Sequence, residues 1–391
     1  MSNCKEFYGI EKDYFVKAGG GYTAEEIARQ PEVWEELGRL LLAKKDEIAA
    51  FHKKMGDIGK MRVIFTGAGS SAFIGDALAP MLSKCTGIKA ESIPTTDLVT
   101  SPESFLFPDI PTLLVSFARS GNSPESAGAV SYARSVIKDL WEVAITCDEA
   151  GKLYEVTAES AKSLILVMPE GANDKGFAMT SSVSCMLLTG FAFFNADQID
   201  ALVKDIALLS GHVRDSSRQW TETASKWAEK EFGRIVYLGC GFLKHTAHEA
   251  SLKMLELTNG RVNSTYESAT GFRHGPKTVI NDETVTVHMI SNHAFTAKYD
   301  KDLLNEVCAE KKQNQAIALG GEGDMPADEA IPIPSKGYGM GGDICTGLHA
   351  LVFCQMVAMF KSLSLGITPD GPSPTGEVNR VVKGVTIYAY Q

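Results

Sequence analysis

Residues 62–85, RVIFTGAGSSAFIGDALAPMLSKC, decide how the chain is read. The apolar run Val63–Phe65 gives way to Thr66-Gly67-Ala68-Gly69, then to Ser70-Ser71 and an apolar stretch at helical spacing. A short β-branched and aromatic run closed by glycine suits a buried strand, and small residues ahead of a 3.6-residue period suit a helix start. Such a turn aims backbone N–H groups at whatever sits above the strand end, which favours an anion. Residues 113–126, LLVSFARSGNSPES, repeat the device: a strand, a hydroxyl-rich turn, Ser123 as N-cap, Pro124 at the first helical position and Glu125 in the first turn.

The whole strand–turn–helix unit recurs further on. In residues 234–257, RIVYLGCGFLKHTAHEASLKMLEL, Gly239-Cys240-Gly241 overlays Gly67-Ala68-Gly69. Strand-like and helix-like segments alternate around both copies, which predicts two tandem α/β domains, each a mostly parallel sheet with helices on both faces. The expected spans are a helical lead-in over 1–50, a first domain over 51–210 and a second over 211–391. Ile27, Trp34, Leu37, Leu41 and Ile48 lie near helical spacing in the lead-in. The uncharged stretch 176–196 is read as a central core helix because its serines and threonines suit no lipid face. Residues 319–343 are read as a glycine-rich surface loop with short strands, and the C-terminal "EVNRVVKGVTIYAYQ" as an alternating strand.

Composition narrows the function. The 391 residues are 44% hydrophobic and 22% charged, with a net charge of −10. An acidic chain has no basic field to steer nucleic acid or a membrane surface. The N-terminal residues are charged and lack the apolar core of a secretory leader. The eight cysteines are scattered with no Cys-x-x-Cys pair, so free thiols in a reducing, cytoplasmic setting are expected. His245 and His248 do not follow the zinc-protease order, and neither a metal nor a cofactor is expected. Read literally, Gly67-x-Gly69-x-x-Ala72 with Glu91 fits a loose dinucleotide fingerprint. That alternative leaves the second serine turn without a role, whereas a compact phosphoryl group would use both.

The two turns, TGAGSSAFIG and SFARSGNSPES, resemble those of the sugar isomerase (SIS) domain. The tandem arrangement resembles the isomerase half of glucosamine-6-phosphate synthases. With EASLKMLELTNGRV and TGFRHGPK added, the chain is similar over nearly its whole length to the AgaS family, known as tagatose-6-phosphate ketose/aldose isomerases or galactosamine-6-phosphate deaminases. The resemblance implies a flavodoxin-like three-layer fold and a phosphate site made by Ser70, Ser71, Ser120 and Ser123 with Gly69 and Gly121. The synthase has Ser-Gln-Ser where this chain has Ala118-Arg119-Ser120, so Arg119 either grips the phosphate or points elsewhere.

The chemistry needs a base, a ring-opening acid and a stabilised enediol-like intermediate. Glu249, Lys253 and Glu256 fall on one helix face. Glu256, between Leu255 and Leu257, is expected to be a buried carboxylate, while Glu249 and Lys253 could be no more than a solvated pair. His274 lies in a loop punctuated by Gly275-Pro276. By resemblance, His274 opens the ring, Glu256 shuttles the proton, Lys383 reaches the sugar carbonyl, and Glu249 is a neighbour of less defined role. No glutaminase module precedes the first strand, so the expected reaction runs without supplied ammonia, and the resemblance implies deamination of galactosamine 6-phosphate to tagatose 6-phosphate and ammonia. The alternatives are isomerisation of a neutral hexose phosphate, and a sugar-phosphate sensor without catalysis. A homodimer or higher oligomer is expected, with sites that can borrow residues between copies.

Overall fold

The computed structural model describes residues 5–310, 315–321, 323–382 and 384–390. It contains two five-stranded sheets. In the first, strands Ala90–Ser92, Arg62–Thr66, Thr112–Ala118, Leu140–Thr146 and Ser163–Val167 lie side by side in that order. In the second the order is Asn263–Glu267, Arg234–Leu238, Thr284–Met289, Gln315–Leu319 and Glu329–Ile331. Every pairing in both sheets is parallel. Counted in chain order within each sheet, both read 2-1-3-4-5, the flavodoxin-like winding whose crevice opens beyond the ends of strands 1 and 3. The registers also agree, with Arg62 opposite Thr112 and Arg234 opposite Thr284.

Each sheet is covered on both faces, so its central strands read as unbroken apolar runs rather than alternating ones. All seven residues of Thr112–Ala118 and of Leu140–Thr146 are buried. On one face of the first sheet the Phe65 ring meets Phe117 at 6.0 Å and Phe194 at 5.5 Å. On the other, Ile64 and Leu114 pack with Leu98, Val130, Ala133 and Leu153. The second sheet repeats this. Val236 and Leu238 pack with Phe272, Leu303 and Val307. Helix Phe242–Leu257 packs against helix Gly342–Ser364, where a side chain on Gly347 would come within 2.5 Å of the Phe242 ring. Right-handed crossovers require these two groups of helices to lie on opposite faces of the sheet.

The expected core helix is Ser181–Phe194, buried at every residue. Asp174 caps it, its carboxylate accepting from the Thr180 and Ser182 amides at 2.8 and 2.9 Å and from their hydroxyls at 2.9 and 2.6 Å. A second apolar helix, Gly342–Ser364, was not expected from the sequence. Among the described residues it alone is long and apolar enough to cross a membrane, and 94% of its most apolar window is buried inside the protein. The lead-in is helical as expected, over Gly21–Ala28 and Gln30–Met55, with Ile27, Trp34, Leu37, Leu41 and Ile48 no more than 1% exposed.

By contacts the chain forms two compact units. One holds the first sheet, over Val33–Asp174 and Met179–Val203, together with the C-terminal residues from Thr375. The other holds the second sheet within Lys204–Pro374, with the N-terminal residues up to Glu32 and Lys175–Ala178. The described tail residues 384–390 are not a strand, contrary to the sequence reading. They lie against helices: Ile387 packs into the first-sheet core and Tyr390 sits 5.5 Å from the Tyr132 ring. With no sheet edge beside them, their alternation has no ladder to join.

Candidate active site

The two serine turns sit at the C-terminal ends of neighbouring strands 1 and 3 of the first sheet, where Thr66 pairs with Ser116. The topology therefore brings Gly69, Ser70 and Ser71 to the same crevice as Ser120, Gly121 and Ser123. Gly69 has φ 57° and ψ −131°, a backbone closed to residues with a side chain. It launches helix Ser70–Thr86, and Ser70 and Ser71 are each only 4% exposed. The Ser71 hydroxyl approaches the Met179 sulfur at 4.0 Å.

The second turn is braced from behind. Asn122 Oδ1 accepts from the Lys152 amide at 3.1 Å, and the Gly121 carbonyl accepts from the Leu153 amide at 3.0 Å. Gly121 has φ 64°. A side chain on Gly151 would come within 2.2 Å of the Ser120 carbonyl, so only glycine passes there. As expected, Ser123 is the N-cap and Pro124 opens the helix Pro124–Val136. Neither helix start uses a side-chain cap bond. The Ser120 hydroxyl accepts from the Asn122 amide at 3.3 Å, and the Ser123 hydroxyl meets that of Ser126 at 2.7 Å. The hydroxyls are thus not consumed in capping, and two helix N-termini point their positive ends at one crevice.

Arg119 does point elsewhere. It is 7% exposed, and its Nη2 donates to the Arg380 carbonyl at 2.8 Å. Glu91 is held by Arg62 through two bonds of 2.6 and 2.8 Å, so it is engaged rather than open to a ribose.

In the second domain, helix Phe242–Leu257 carries the acid/base candidates. Lys253 is fully buried, with Nζ 3.2 Å from Glu249 Oε1 and 2.7 Å from Glu256 Oε2. Burial pulls the Lys253 pKa down, and the two carboxylates outweigh it, leaving the ammonium above its ordinary value. The pair is therefore not solvated. Nor is Glu256 the buried carboxylate: its side chain keeps 26% exposure, while Glu249 keeps 5%. The helix runs alongside the sheet with its last turn turned partly outward, so Leu255 is exposed and Glu256 has access to solvent and to Lys253 together. Sequence reading treated Lys253 only as a partner of Glu249; its spacing of three from Glu256 was the signal that both carboxylates share it.

His274 is exposed in the loop after helix Ala269–Phe272. That helix belongs to the face packed by Phe272, Leu303 and Val307, opposite the face covered by Phe242–Leu257. Within one chain the second sheet therefore separates His274 from Glu256. His248 lies flat on Tyr266 with ring centroids 3.8 Å apart. Lys383 lies outside the described residues.

A profile of the SIS domain matches residues 58–196. The D-galactosamine-6-phosphate deaminase AgaS of Escherichia coli is 40% identical over 382 residues, covering 96% of this chain and 97% of that protein. A solved structure of tagatose-6-phosphate ketose/aldose isomerase from Escherichia coli is 37% identical, with a TM-score of 0.87 over 95% of this chain and 97% of that one. The C-terminal domain of glucosamine-fructose-6-phosphate aminotransferase from Francisella tularensis shares the fold, with a TM-score of 0.74 at 16% identity, covering 90% of this chain and 98% of that one. The chain is an enzyme of tandem SIS architecture and belongs to the AgaS family.

Proposed function

We propose that this protein deaminates galactosamine 6-phosphate, giving tagatose 6-phosphate and ammonia. The observation that carries the reading is 40% identity, over nearly the full length of both chains, to a D-galactosamine-6-phosphate deaminase. The hydroxyl-lined turns at Ser70, Ser71, Ser120 and Ser123 hold the phosphate, assisted by two helix N-termini. His274 protonates the ring oxygen and opens the ring to the aldehyde. Glu256 removes the C2 proton and returns it to C1, and the amine gives up one proton as the carbonyl oxygen gains one. The amine-bearing C2 becomes an imine, and water replaces it with a carbonyl as ammonia departs. The Lys253 ammonium holds Glu256 at 2.7 Å and so fixes the base in place. Lys383 is proposed to meet the sugar carbonyl.

Because Glu256 and His274 lie on opposite faces of one sheet, we assign the pair acting on one sugar to two copies of the chain, in a homodimer or larger assembly. Mixing inactive Glu256→Gln and His274→Ala proteins should then restore about a quarter of native activity in a dimer. No recovery would show that one copy holds a complete site.

The name of the 37%-identical solved relative favours a second reading, ketose/aldose isomerisation, which uses the same proton path without hydrolysis. Ammonia released from galactosamine 6-phosphate decides for deamination. Interconversion of neutral hexose phosphates without ammonia from the amine decides for isomerisation.

A further inference from the structure

We propose that Arg119 and Arg380 form a clasp that positions the C-terminal segment beside the phosphate turn, Arg119 acting as a positioning residue and not as a phosphate ligand. The proposal rests on reading the Ser120 turn as the phosphate holder.

Arg119 follows the strand Thr112–Ala118 and precedes Ser120, and its backbone is fixed by the Cys147 amide, which donates to the Arg119 carbonyl at 3.1 Å. Its buried guanidinium reaches the Arg380 carbonyl at 2.8 Å. Arg380 answers with its own guanidinium, donating to Asn173 Oδ1 at 3.1 Å and to the Asp174 carbonyl. Asp174 makes a firm anchor because its carboxylate is already committed to Thr180 and Ser182 at the start of a buried helix. The tail is thus tied at residue 380 both to Arg119 beside the Ser120 turn and to the Asn173–Asp174 turn.

A second anchor holds the tail's far end. The Tyr132 hydroxyl donates to the Tyr388 carbonyl, and Ile387 lies over Gly128, where an added side chain would meet it at 3.1 Å. Both contacts are on helix Pro124–Val136, the helix that Ser123 starts. The described residues between these two points, 381–382 and 384–386, include Val382 and Val385, both exposed. A segment tied at both ends to the domain that carries the serine turns suits the positioning of functional groups beside them. A displacement of about 1 Å in such a group costs about 100-fold in rate.

The test compares Arg380→Ala, Arg380→Lys, Arg119→Ala and Ser120→Ala. It uses ammonia release, inorganic phosphate binding by calorimetry, and hydrogen exchange of peptides covering 384–390. Arg380→Ala and Arg119→Ala should each lower kcat about 100-fold, speed exchange in the tail, and leave phosphate affinity within about twofold of native. Arg380→Lys should recover part of the rate. Ser120→Ala should do the reverse, weakening phosphate while the tail exchanges as in the native protein. The clasp is overturned if Arg119→Ala weakens phosphate about tenfold or more with tail exchange unchanged, or if Arg380→Ala turns over like the native enzyme. A native protein that releases no ammonia would sink the deaminase reading instead; the exchange and phosphate arms still judge the clasp.

Discussion

The two sheets of this chain are near-copies in backbone and opposites in chemistry. Gly69 and Gly241 adopt the same conformation, φ 57° and ψ −131° against φ 59° and ψ −129°. Gly67 and Gly239 are crowded in the same way, with an added side chain meeting Ser71 at 2.6 Å or Leu243 at 2.8 Å. Yet the first turn continues into Ser70-Ser71 and the second into Phe242-Leu243. The second crevice also has an anion of its own. Asp300, 3% exposed, accepts from the Ser291 amide at 3.0 Å. Burial raises the Asp300 pKa, and the Ser291 bond pulls against it. The turn geometry belongs to the repeat, whereas affinity for phosphate belongs to the side chains, and a resident carboxylate disfavours a second anion. The second domain carries its proposed acid/base groups on a helix instead, in the Glu249–Lys253–Glu256 trio.

The largest effect should come from that helix. Glu256→Gln is expected to lower kcat by at least about 100-fold while sugar-phosphate affinity stays native. Comparable turnover in the variant would remove the trio from the chemistry. In the first domain, Ser70→Ala and Ser120→Ala should each weaken sugar-phosphate binding by about tenfold, since each deletes a hydrogen bond to a charged group. Removing the thiol and hydroxyl of the second crevice, in Cys240→Ala and Ser291→Ala, should leave binding unchanged, and calorimetry that finds the two crevices equivalent breaks the contrast.

A finer cut separates backbone from function. Gly69→Ala and Gly241→Ala face no steric obstacle within 4 Å, so their cost is conformational. Each should destabilise by about 1–3 kcal/mol, and by similar amounts, in urea melts. Only Gly69→Ala should also impair phosphate binding.

The smallest expected effect is acid sensitivity. Burial depresses His288 to about 3, and burial with the His212 charge depresses His349 to about 3; both belong to the second unit. With folded values below the unfolded one, protons favour the unfolded chain between the two. Stability is complete above the unfolded pKa and drains as the pH falls below it. Going from pH 7.5 to 6 should cost about 1 kcal/mol for each histidine. In the first unit His52 is lowered by burial as well. Urea melts at the two pH values for native and His349→Gln protein would measure the share of that residue, and identical pH slopes would contradict it.

Much of this was legible because it is local. The glycine–serine turns, the proline-started helix and the repeat at Gly239-Cys240-Gly241 each declare themselves within a dozen residues. The i, i+4, i+7 spacing placed Glu249, Lys253 and Glu256 on one face. What escaped depends on distant neighbours. The exposure of Glu256 reflects where its helix ends against the sheet, which flanking leucines do not encode. The tail alternates like a strand but meets helices. Arg119 differs from the synthase pattern, and only the fold reveals the carbonyl it serves. Helix Gly342–Ser364 followed a glycine-rich loop that drew attention from the apolar residues behind it. Crossover handedness, a property of the whole sheet, sets His274 and Glu256 on opposite faces.

If that last arrangement makes two copies share one site, as proposed, activity depends on the protein's own concentration. Chains that must meet before an acid and a base can serve one sugar lose specific activity on dilution below their dissociation constant, and regain it when concentrated. Crosslinked assemblies would keep full activity at any dilution, so the amount of enzyme, and not only its substrate, would set the flux.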